Sequence, residues 1–158
     1  METLPVGMIW RAMSWLPGFL LRRFFSKQWL AQHTRIDVRP RYDPVSVRGG
    51  ELPEVHIWLV VSNHGHFPIE LDRLTAEFTM GAAVARFHHL NRAELKPNAE
   101  LEIFVRDSLT GEQIAHISRN KERPFVALQL QAEFNSKLHN FSVNTGQLSG
   151  IKPELLNV

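Results

Sequence analysis

From residue 34 onward, apolar and polar side chains alternate almost one for one, segment after segment. Val55, Ile57, Leu59 and Val61 share one parity, and Leu74, Ala76, Phe78 and Met80 share another. Leu101, Ile103 and Val105 alternate with Glu100, Glu102 and Arg106. Val126, Leu128, Leu130, Ala132 and Phe134 alternate with Gln129, Gln131 and Glu133. A period of two sends successive side chains to opposite faces, so these segments fit half-buried strands and not helices. Strands are predicted over 35–39, 55–62, 72–80, 82–89, 100–106, 125–134 and 138–143. Turn signals separate them: Gly49-Gly50, His64-Gly65, Lys96-Pro97-Asn98, Thr110-Gly111, Arg123-Pro124 and Gly146. Seven short strands at this spacing predict a two-sheet Greek-key sandwich, with a closed barrel as the alternative.

The preceding residues follow a different period. Residues 5–16 and 19–32 read as two short helices, broken at Pro17-Gly18. In the second, Leu20, Leu21, Phe24, Phe25 and Trp29 fall on one side at 100° per residue. Arg22, Arg23, Ser26 and Lys27 fall on the other, with Phe19 and Leu30 as exceptions. Trp10, Trp15 and Trp29 place three of the four tryptophans in this arm. A spanning helix needs about 20 predominantly apolar residues. Between Arg11 and Arg22 lie ten uncharged residues, roughly 15 Å of helix. An interfacial helix fits better, with an aromatic and leucine face opposite a basic one. A cleaved signal peptide is not expected, because the start is acidic and no small-residue cleavage site follows residue 21.

Charge divides along the same boundary. Residues 1–48 carry eight basic and three acidic side chains, hence +5; the remainder carries −3. A cationic arm on a mildly acidic body calls for an anionic partner, and a membrane surface suits it better than nucleic acid. The chain has no cysteine, which excludes disulfides, thiol nucleophiles and thiolate metal sites. Among the eight histidines, His64 and His66 lie two apart, His88 and His89 end a strand, and His56 lies on an outward strand face. Nothing in this spacing requires three or four ligands to converge, so no metal site is expected. No phosphate-binding glycine loop, nucleophile elbow or helical HExxH occurs. No catalytic residue and no cofactor is expected.

The stretch from Val55 to Val105 carries a further pattern: Asn63 ending an apolar strand, Phe67-Pro68-Ile69, Leu71, Leu74, Gly81 and Leu95-Lys96-Pro97. It resembles the immunoglobulin-like domain of type 2 late-embryogenesis-abundant proteins, the water-stress and hypersensitive-response (WHy) domain. The segment 126–150 is similar to the closing hairpin of that domain. The resemblance implies a non-enzymatic protein linked with membranes, stress protection and the binding of apolar or protein ligands. With it, the expected fold is all-β: a seven-stranded immunoglobulin/fibronectin-III-like β-sandwich over 34–158, carrying an amphipathic helical arm over 1–33.

The functional expectation is a membrane-associated interaction module. Trp10, Trp15, Leu20, Leu21, Phe24, Phe25 and Trp29 would enter the interface, and Arg22, Arg23 and Lys27 would face anionic headgroups. Attachment would be peripheral or monotopic, with the cytoplasmic side favoured, and a sandwich loop or strand edge would recruit a protein partner. Two alternatives stand: a soluble subunit whose arm docks into a neighbour in a larger assembly, and a stress-protection protein.

Overall fold

The computed structural model describes residues 17–40 and 43–158. The expected helix over 5–16, with Trp10 and Trp15, lies outside them. The described elements are α1 (Gly18–Phe24), α2 (Lys27–Gln32), β1 (Thr34–Val38), β2 (Val45–Arg48), β3 (Glu54–Asn63), β4 (Ile69–Met80) and β5 (Ala83–His89). They continue with β6 (Ala93–Leu95), β7 (Ala99–Ser108), α3 (Gly111–Arg119), β8 (Val126–Ser136), β9 (Phe141–Ile151) and β10 (Glu154–Leu156).

The strands form two sheets that pack as a sandwich. In the first, β3 pairs antiparallel with β7 on one edge. Its other edge is shared end to end by β1 and β2, and β10 runs parallel to β2. In the second, β4 pairs with β8 on one edge and with β5 and β6 on the other, and β8 continues to β9. The parities read from the sequence point inward. Val55, Ile57, Leu59 and Val61 from β3 meet Leu74, Ala76, Phe78 and Met80 from β4 and the apolar set of β8 in one buried core. Each large aliphatic or aromatic side chain so buried contributes about 1.5–3 kcal/mol.

Strand β4 begins earlier than its alternation suggests. Ile69 and Leu71 are buried, and so are Leu74 and Ala76, so the apolar parity changes between 71 and 74. The register shift between Leu71 and Arg73 inserts one extra residue, Asp72, and keeps both sets facing the core. The phase break that makes 69–71 look like loop is this bulge.

Ten strands are present among the described residues, against the seven expected. Strands β2, β6 and β10 have three or four residues each, too few to show a period. The strand expected over 138–143 starts at Phe141 and runs to Ile151. Its bulges near Gly146 and Gly150, both at positive φ, hide the alternation. Thr110-Gly111, expected as a turn, opens α3 instead. The Thr110 hydroxyl accepts from the Gln113 amide, and the Gln113 side chain accepts from the Thr110 amide. The signature was present as Thr-x-x-Gln.

Candidate functional site

The second arm helix is two helices. The run 19–32, expected as one amphipathic helix, breaks at Phe25, and Ser26 caps α2 by accepting the Trp29 amide at 3.2 Å. Serine at this position satisfies a helix-start N–H that a continuous helix would not leave open, and local capping prevails over the longer periodicity.

The split separates two roles. Helix α2 is built into the sandwich: Leu30 is 2% exposed and belongs to the core. The Thr34 hydroxyl donates to the Leu30 carbonyl at 3.0 Å, and the His64 amide donates to the His33 carbonyl at 2.7 Å. Phe25 meets Trp29 and Phe67 edge-on at 4.8 and 4.7 Å. Trp29 stacks on His33 at 3.8 Å and lies 5.9 Å from His66. Gly65 sits beneath it, where a Cβ would meet the Trp29 ring at 3.6 Å and the Asn63 Oδ1 at 3.1 Å. The arm therefore seats on the turn 63–67.

That turn is held by Asn63, which is buried. Its Nδ2 donates to the Phe67 carbonyl at 2.9 Å and is shared between the Leu95 and Lys96 carbonyls, each at 3.2 Å. Its Oδ1 accepts the Gly65 amide at 3.0 Å.

Helix α1 faces outward. Phe19 and Phe24 are 70% and 74% exposed, and Arg22 and Arg23 are exposed beside them. Leu20 is half-buried, and Leu21 packs against the core. The Arg22 carbonyl lies 3.3 Å from the His139 ring Nε2. Of the expected membrane-facing residues, Phe19's neighbours Arg22, Arg23 and Phe24 are thus presented to solvent, whereas Phe25 and Trp29 spend much of their surface on the turn. Lys27 is exposed and lines a cleft of about 600 Å³ with Asp72 and Glu133. No helix among the described residues is long and apolar enough to cross a membrane.

The histidines do not assemble. Among the described residues, no group of three or more His, Asp or Glu side chains is placed to hold a metal ion. His88 Nδ1 lies 3.2 Å from the Thr75 hydroxyl, on the opposite sheet from His56.

Alternation did not single out the outer face of the first sheet. Cross-strand register sets residues there in rows: Arg35, Ser62 and Glu100; Asp37, Val60 and Glu102; then Arg39, Trp58 and Phe104. The Trp58 and Phe104 rings lie 5.2 Å apart, and His56 meets both edge-on at 5.9 and 5.3 Å. The Arg39 guanidinium stands 5.0 Å over the Trp58 ring. Ion pairs Arg35–Asp37 at 2.7 Å and Arg106–Glu54 at 2.5 Å flank the band. Between β1 and β7, over Val60 and Ser62, lies a cleft of about 710 Å³. The signal in the sequence was aromatic residues on the polar parity of β3 and β7.

The Arg106 guanidinium, with a smaller contribution from His56, holds the Glu54 carboxyl below the usual range. A depressed carboxyl stabilises the fold fully above its unfolded value, and this is lost as pH falls through the folded value. Glu54→Gln should therefore lower stability on the plateau above about pH 6 and leave it nearly unchanged at the acid end, which flattens the acid limb of the stability–pH curve. A wild-type acid limb in the variant would contradict this.

No protein-family profile matches the chain, and no curated protein matches it. Solved structures do share its fold. The structural-genomics target SoR45 is 10% identical, with a TM-score of 0.55, covering 78% of this chain and 89% of its own. A protein from Archaeoglobus fulgidus is 12% identical, with a TM-score of 0.49 over 74% and 91%. A solution structure assigned provisionally to the late embryogenesis abundant (LEA) proteins is 13% identical, with a TM-score of 0.47 over 93% and 88%. At a TM-score of 0.55, the first of these is similar to this chain in fold.

Proposed function

We propose that this protein is a non-enzymatic interaction module held at an anionic membrane surface by its N-terminal arm, on an immunoglobulin-like sandwich of the LEA type 2 kind. The observation that carries the reading is α1, where two largely exposed phenylalanines stand beside two exposed arginines. Helix α2 is tied to the core and gives that element a fixed mount. Each phenylalanine entering the interface contributes about 1.5–3 kcal/mol at most, and each basic residue adds about 1 kcal/mol at an anionic surface. Two of each sustain reversible binding, to which the preceding tryptophans Trp10 and Trp15 would add.

Flotation with vesicles containing phosphatidylserine, against phosphatidylcholine alone, tests this at two salt concentrations. The full-length protein should float with the anionic vesicles and less so at high salt. Phe19→Ser with Phe24→Ser, and separately Arg22→Glu with Arg23→Glu, should each reduce the floating fraction several-fold. Equal flotation of all forms, or none by the wild type, would overturn the reading. Self-association without flotation would favour the alternative, an arm that docks into a neighbouring subunit.

A further inference from the structure

We propose that the cleft on the outer face of the first sheet is a recognition groove for an extended protein segment bearing two basic side chains two residues apart. A solvent-facing sheet surface is ordinarily polar. Here Trp58 and Phe104 form an aromatic platform, with Phe104 46% exposed. The platform already takes a cation, because the Arg39 guanidinium stacks on Trp58 at 5.0 Å.

Beside Phe104 on the same face of β7 stand Glu102 and Glu100, both exposed. The other carboxylates of this face, Asp37 and Glu54, are satisfied by Arg35 and Arg106. Among the described residues, neither Glu100 nor Glu102 forms a salt bridge; Glu100 accepts only the Ser62 hydroxyl, at 3.2 Å. The excess charge of the groove wall is therefore negative. Residues two apart in a strand lie about 6.6 Å apart. An extended segment presents its own alternate side chains at the same interval, so an Arg-x-Arg or Lys-x-Lys pair can meet both carboxylates in register. The short side chains Val60 and Ser62 leave the floor open between longer residues on β1 and β7. The volume of about 710 Å³ falls in the range of ligand sites.

The probe is the peptide acetyl-Gly-Ser-Arg-Ser-Arg-Ser-Gly-amide, titrated calorimetrically into the full-length protein at 50 and 300 mM salt. It should bind, and weaken at the higher salt. A peptide with its arginines three residues apart should bind at least three-fold more weakly. A glutamate analogue should not bind. Glu100→Gln with Glu102→Gln should weaken binding about ten-fold, and Phe104→Ser several-fold, whereas Phe104→Tyr should retain it. Thermal midpoints of these variants separate lost recognition from lost folding. Phe19→Ser with Phe24→Ser should leave peptide binding intact, which separates the groove from the membrane reading. No binding by the wild type, equal binding of the glutamate peptide, or undiminished binding by the folded double glutamine variant would overturn the proposal.

Discussion

Asn63→Ala should lower the unfolding free energy by about 2–4 kcal/mol, read as a shifted urea midpoint at unchanged slope. Alanine removes one amide that serves both sides of the turn 63–67. The Phe67 and Leu95 carbonyls each lose the Asn63 donor, the Lys96 carbonyl keeps only the Ala99 amide, and the Gly65 amide loses its acceptor. A buried group left unpaired costs about 1–3 kcal/mol, against about 0.5–1.5 kcal/mol for a bond replaced without an orphan. Asn63→Asp adds a direction. A carboxylate there keeps the Gly65 contact but faces carbonyl oxygens, so the variant should be less stable at pH 7 than at pH 4. An alanine variant within about 0.5 kcal/mol of wild type would mean that water replaces the amide and the turn is not held this way.

Leu30→Ala should cost about 2–5 kcal/mol, because it opens a cavity in the sandwich core from a residue in the arm. Phe24→Ala, six residues earlier and largely exposed, should change stability by less than about 0.5 kcal/mol. The contrast measures where the arm stops being an appendage. Similar small effects at both positions would show that α2 does not dock. The expected penalty also bears on truncation. A chain beginning at residue 34 lacks Leu30 and leaves the Thr34 hydroxyl without the carbonyl it bonds. Membrane binding is therefore better tested by substitution in α1 than by deletion.

The sandwich was legible because its long strands bury one face each, and a period of two survives along β3, β7 and β8 and in β4 from Leu74 onward. Its finer parts were not. The Asp72 bulge disguises the start of β4, and the glycine bulges of β9 erase its alternation. Strand β10 is a three-residue parallel partner for β2, joined by the Gly49 amide to the Leu156 carbonyl at 2.8 Å. No local pattern marks a pairing across more than a hundred residues of chain. Gly49 itself lies where a Cβ would overlap the Asn157 carbonyl, a requirement visible only once the two segments meet. Helix α3, by contrast, was announced by its capping box, which competed with a glycine that also marks turns.

The sequence by itself determined the all-β body, the apolar sets that form its core, the basic aromatic arm, and the lack of thiol chemistry. These are properties of residue type and period, which act locally. Tertiary structure alone decided how the arm is divided. Phe25 and Trp29 pack onto the turn held by Asn63, Leu30 enters the core, and Phe19 and Phe24 remain outside. It also brought Trp58, Phe104, Glu100 and Glu102 to one face from strands about forty residues apart. Helical periodicity says which side chains share a side, but which side is buried depends on the surface that comes to meet it.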